Sequence, residues 1–109
     1  MKIIWVLVSC NSEKEADKIG KEALKQRLIA CFGIFPRLKA NYFWPPKTGK
    51  IETAQGGTLL SLETLPKYFK KIEKLVKKLH SDELPFIGSI EINNVHLDYM
   101  KWLKGELYD

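Results

Sequence analysis

Two amphipathic helical stretches set among short β-branched and aromatic runs predict an α+β protein, in the order β-α-β-β-α-β with an extra C-terminal helix. The first supporting observation is a lysine series. Lys67, Lys70, Lys71, Lys74, Lys77 and Lys78 recur every three or four residues, and Phe69, Ile72, Val76 and Leu79 take the opposite phase. That is one helix with one solvated basic face. The second is "PPKTG" at 45–49, which cannot sit inside a sheet because proline lacks the N–H and glycine supplies unusual φ, so it turns a hairpin. Right-handed crossovers then give a ferredoxin-like antiparallel sheet with both long helices on one face.

The elements follow in order. Residues 2–9, "KIIWVLVS", are short, apolar and β-branched, and form the first strand. Asn11 or Ser12 caps a helix whose first turn carries Glu13 and Glu15, suited to the positive end of the dipole. Ala16, Ile19, Ala23 and Leu24 are its apolar stripe, extended by Leu28. A second strand region runs from about Cys31 to Trp44, and a third returns over roughly residues 50–63, irregular near Gly56 and Gly57. Thr64 is expected to cap the basic helix, with Pro66 in its first turn. His80 closes that helix, "PFIGSIEI" is the fourth strand, and Asn93 or Asn94 caps the terminal helix, with His96 in its first turn and on the surface.

At 109 residues with 45% hydrophobic content, the chain is expected to be one domain, residues 1–109, with a single core. The N-terminal apolar run is too short for a signal peptide or a membrane span. With no CxxC and only Cys10 and Cys31, the expectation is a cytoplasmic protein with reduced thiols, no membrane partner and no disulfide framework. The net charge of +5 invites a nucleic-acid reading, but the lysines are accounted for by the solvated face of one helix.

Both faces of the predicted sheet are apolar. Ile4, Val6 and Val8 alternate with Ile3, Trp5 and Leu7 in the first strand, and Phe32, Ile34, Leu38, Tyr42 and Trp44 with Cys31, Phe35 and Phe43 in the second. One helical layer covers one face, and a monomer seldom leaves the other bare, so self-association is expected. The topology also brings "LHSDELP" to the edge where the first strand ends at Ser9, Cys10 and Asn11. Cys31 starts its strand at the opposite edge, roughly 20 Å away and beyond disulfide reach. Cys10, His80 and Glu83 converge as donors for a soft metal ion. Against this, a histidine at a helix C-terminus and a proline soon after it are also how a helix ends.

Several blocks together resemble the CutA family of divalent-cation tolerance proteins: "EADKIGKEALKQRLIACFGIFP", "NYFW…GKIE", "LHSDELPFI" and "DYMKWL". They occur in the family's order over nearly the whole chain. The resemblance implies a ferredoxin-like subunit, a tight homotrimer, kinship in shape with nitrogen-regulatory signal proteins, and links to copper and other divalent ions without established catalysis. Cys31 matches the family's Ala-Cys, Tyr42 and Trp44 its aromatic hairpin, and His80, Glu83 and Pro85 its His-Pro-Tyr-Glu-x-Pro. Ser81 and Asp82 depart from that motif, Cys10 has no family counterpart, and the 45–57 hairpin is longer and less acidic than usual. The expectation is a trimer whose interface draws on Trp5, Tyr42, Phe43 and Trp44. No cofactor is required; His80, Glu83, Cys10 and Asp82 are the candidate ligands of a weakly held divalent ion, copper foremost, and there is room for a protein partner.

Two other classes are disfavoured. An acyl-phosphate hydrolase of this fold needs a phosphate-cradling loop with an arginine near the N-terminus, and "SCNSEKE" has neither glycine nor arginine. A nucleic-acid-binding module should carry a basic-glycine-aromatic motif in its third strand, and "TAQGGTLLSLE" has no aromatic.

Overall fold

The computed structural model describes residues 2–107. Its elements are β1 (Ile3–Cys10), α1 (Glu13–Lys25), β2 (Cys31–Pro36), β3 (Lys39–Trp44), β4 (Lys50–Gln55), β5 (Thr58–Thr64), a 3-10 turn (Pro66–Tyr68), α2 (Phe69–Leu79), β6 (Ile87–Ile92) and α3 (Leu97–Glu106). The main sheet is antiparallel in the order β2-β5-β1-β6, with β1 and β5 central. That is the expected ferredoxin-like arrangement.

The predicted long hairpin is broken in two. Its lower halves, β2 and β5, belong to the main sheet, while its upper halves, β3 and β4, form a separate two-stranded ribbon. The break falls at Arg37-Leu38 on one arm and Gly56-Gly57 on the other. Both glycines have positive φ, 74° and 89°, a conformation that side chains resist. Backbone hydrogen bonds from Arg37 N to Gly57 O (3.1 Å) and from Gly56 N to Leu38 O (3.1 Å) carry the ladder across the bend.

Alternation along β1 places Ile4, Val6, Val8 and Cys10 under the helices, where all are buried. Leu60 and Leu62 of β5 join them, packed beneath Ala16, Ile19 and Ala23 of α1 and Ile72 and Val76 of α2. All six lysines of the predicted basic face are exposed. The opposite sheet face carries Trp5, Leu7, Phe35, Leu59 and Ile90, and α3 reaches only its lower end. Phe35 remains 44% and Ile90 48% exposed.

Four local expectations are corrected. Leu24 is exposed, and Gly20 takes its place among the buried residues of α1. A Cβ there would meet the Phe32 ring at 2.5 Å, so the glycine lets strand and helix approach. Thr64 does not cap the basic helix: it ends β5 fully buried, and its hydroxyl donates to the Leu28 carbonyl at 2.6 Å. Neither Asn93 nor Asn94 caps α3. His96 does so, its Nδ1 accepting from Asp98 N at 3.1 Å, which puts it just ahead of the first turn, though exposed as expected. The fourth strand begins at Ile87 rather than at Pro85. At the start of α1 the cap is Ser12, whose hydroxyl accepts from Glu15 N at 3.0 Å, leaving Asn11 free for other work.

Leu60 is fully buried beneath both helices. Leu60→Ala is therefore expected to lower unfolding free energy by about 2–5 kcal/mol. Lys74→Ala on the exposed face should stay within about 0.5 kcal/mol of the parent. Chemical denaturation of both variants checks the difference.

Candidate functional site

The sequence places a histidine where α2 must stop, and the structure shows what that histidine holds. The His80 N–H closes the last turn on Val76 O at 2.8 Å. Its buried ring then reaches across to the end of β1. Nδ1 accepts from Asp82 N at 2.9 Å, so that nitrogen carries no proton. Nε2 therefore carries it and donates to Ser9 O at 2.7 Å. Both ring nitrogens are committed to backbone, and the imidazole is neutral.

Glu15 completes the joint. Its Oε1 accepts from Asn11 N at 3.0 Å and its Oε2 from Ser81 N at 2.9 Å. Burial pushes this carboxyl up, but the hydrogen bonds from Ser81 and Asn11 outweigh it and hold the group below its usual value. Asn11 adds a second strap, donating through Nδ2 to Ser81 Oγ at 3.0 Å and to Asp82 Oδ1 at 2.9 Å. The end of β1, the start of α1 and the segment after α2 are thus bound into one network.

Of the predicted ion ligands, the structure brings Cys10 and His80 together and adds Glu15, which the sequence marked only as a dipole partner. One donor atom from each of the three lies within 4.8 Å of the others. Asp82 and Glu83 stand outside this cluster, exposed. The donor types suit copper or zinc, but their state does not suit a resident ion. The Cys10 thiol is pushed up to about 12, first by burial and then by the Glu15 charge, both His80 nitrogens are engaged, and Glu15 already accepts backbone N–H groups. An ion here must displace protons and hydrogen bonds that are already satisfied.

Cys31 lies at the other end of the sheet, paired with Glu63 of β5, and both thiols are free. Burial and then the Glu63 charge hold the Cys31 thiol above its usual range. Glu63, near that end of the open face, accepts from Trp5 Nε1 at 2.8 Å and from the Tyr99 hydroxyl. Trp5 is half-buried, and Pro85 likewise. Tyr42, Phe43 and Trp44 project from the ribbon, with Phe43 70% exposed.

A ferredoxin-like sheet with one helical layer, an exposed aromatic ribbon and a hydrogen-bonded His-Glu joint defines the class of protein. The chain belongs to the CutA1 divalent ion tolerance protein family, which matches residues 4–106. It is 32% identical over 103 residues to the divalent-cation tolerance protein CutA of Thermotoga maritima, covering 94% of this chain and 96% of that one. The Pyrococcus horikoshii protein of the same name is 36% identical over 95 residues, covering 85% and 86%. Among solved structures, the Thermus thermophilus divalent cation tolerance protein superposes with a TM-score of 0.87 at 31% identity, covering 99% of this chain and 100% of that one. CutA1 from Oryza sativa, at 24% identity, shares the fold with a TM-score of 0.90, covering 100% and 96%. Among the described residues no helix is long and apolar enough to cross a membrane.

Because the Glu15 carboxyl is held below its ordinary value of 4.5, its stabilisation is complete above that value and is lost as pH falls through the folded value. Glu15→Gln is expected to cost about 1–3 kcal/mol at neutral pH and to flatten the loss of stability below about pH 4.5. Denaturation midpoints of both proteins across pH 3–7 check the sign.

Proposed function

We propose that the chain is a homotrimeric, non-catalytic member of the divalent-ion tolerance family that acts in the cytoplasm as a signalling scaffold, with copper as its strongest ion. The observation that carries this reading is the uncovered apolar surface, namely the open sheet face together with the aromatic ribbon. A monomer seldom exposes so much, whereas three copies can bury it against one another's ribbons. The relatives' names supply the ion response. The absence of catalysis is supported by the chemistry at hand: both thiols are held protonated, and the buried histidine is committed at both nitrogens.

In this reading "HSDELP" is first a structural joint and second a weak ion site. Asp82 and Glu83 offer hard oxygen donors at the surface, and Cys10 with His80 offers soft ones once the joint opens. A mixed set with that opening cost binds several ions poorly, copper best.

Sedimentation at micromolar concentration is expected to give three times 12.6 kDa; a clean monomer would overturn the trimer. Calorimetry with copper should show weak binding by the native protein and less by His80→Ala, with trimer formation verified in both. Equal binding by the two would confine the segment to ending a helix. Turnover of acyl phosphates that a single substitution at the end of β1 or in the segment after α2 abolishes would overturn the non-catalytic reading.

A further inference from the structure

The segment 67–78 holds six of the chain's 18 basic residues and one of its 13 acidic ones. The remaining residues balance, so the net charge of +5 sits on this one stretch. It runs from the 3-10 turn through α2. All six lysines are exposed, while Ile72 and Val76 are buried beneath them. Along the helix axis the lysines span roughly 16 Å, with one about every 5 Å. Beside them, α1 carries Lys14, Lys18, Lys21 and Lys25, but also Glu13, Glu15, Asp17 and Glu22, and Lys21 is bridged to Asp17 at 2.8 Å. The uncompensated charge is confined to α2.

Solvation accounts for exposed lysines but not for their sorting. Like charges three and four positions apart repel one another along a helix. Lys70 and Lys71 also stand in the first turn of α2, which has no acidic residue and no side-chain cap, so they oppose the positive end of the dipole. Glu73, the one acidic residue of the segment, lies 3.9 Å from Lys70. Among the described residues Lys71, Lys74, Lys77 and Lys78 make no ion pair. The same net charge dispersed over the surface would keep the chain soluble without this repulsion. An oppositely charged partner relieves it. The face lies on the side of the sheet away from Trp5 and Glu63, so it stays outward when the open face is covered.

The chemistry of the face selects among polyanions. It has no arginine for a bidentate grip on phosphate. It presents no exposed aromatic ring for bases to stack on, and no exposed large apolar side chain to enter a bilayer. A line of lysines about 5 Å apart matches carboxylates that recur every three or four residues along another helix, one in each turn of about 5.4 Å. We propose that the outer face of α2 docks an acidic helical segment of a partner protein, whose Asp and Glu side chains meet Lys71, Lys74 and Lys78. This names the partner class for the scaffold reading, and rests on that reading only in that the partner is a protein.

The test is fluorescence anisotropy with the full-length protein in chelator. The association state is followed in the same samples, so failure of the trimer or of ion binding is read separately. The probe is an alanine-based peptide of about 18 residues with its glutamates on one helical face. Its comparators are an isomer with the same glutamates spread around the helix, an oligothymidylate of equal charge, and vesicles containing phosphatidylserine. The one-face peptide is expected to bind saturably at about 50 mM salt and at least fivefold more weakly at about 200 mM. Each comparator should bind at least fivefold more weakly than the probe. Replacing Lys71, Lys74 and Lys78 together by Gln should weaken the probe at least tenfold. The charge-matched replacement of Lys50, Lys101 and Lys104 by Gln, away from α2, should change it less than twofold. No saturable binding, equal losses in the two variants, or equal or tighter binding of the isomer, the oligothymidylate or the vesicles would overturn the proposal.

Discussion

The structure depends on the upper end of β1, where Ser9 ties three separate segments to one residue. Its N–H donates to the Phe86 carbonyl at 3.3 Å, its carbonyl accepts from the His80 ring at 2.7 Å, and its hydroxyl accepts from Arg37. β1 is already paired with β5 on one side and β6 on the other. Ser9 therefore fixes where the helix after β5 must end and where the last strand must begin. It also fixes how the guanidinium at the root of the ribbon is held. A buried imidazole is tolerable there only because both nitrogens are satisfied, since an unpaired buried polar group is costly.

The same strand imposes the second constraint. A residue period of two sends Val6 and Val8 under the helices and Trp5 and Leu7 to the other face. One side closes within the chain. On the other, Glu63 sits among apolar neighbours, its carboxylate satisfied by two donors, the Trp5 indole and the Tyr99 hydroxyl. The closed face and the open one thus come from one alternation, while the joint at its end decides what chemistry remains for the donors gathered there.

Much of this was legible in the sequence, because it rests on local period. The lysine phase located α2, "PPKTG" located the turn of the ribbon, and alternation located both sheet faces. What escaped was set by contacts distant in sequence. Glu15 looked like a helix-dipole residue, yet its carboxylate binds Ser81, 66 positions away. Thr64 has the chemistry of a cap, but burial gave its hydroxyl to Leu28 instead. Leu24 fits an apolar stripe by spacing yet is exposed, while Gly20, whose lack of a Cβ makes room for the Phe32 ring, is buried. Arg37 carries no motif, and only the bend at Gly56-Gly57 brings it against Ser9. His80 was legible as a helix end, whereas its full engagement with backbone required the fold.

The central claim is that His80 is a neutral, doubly bonded joint rather than an open ligand. Nitrogen-15 NMR of the imidazole rings reads this directly, since protonated and unprotonated ring nitrogens differ widely in shift. At neutral pH in chelator the account predicts a single Nε2–H tautomer for His80, with a slowly exchanging ring proton held by Ser9 O, while the ring proton of exposed His96 exchanges rapidly with solvent. A proton on Nδ1, or a His80 ring proton that exchanges as fast as that of His96, would contradict it.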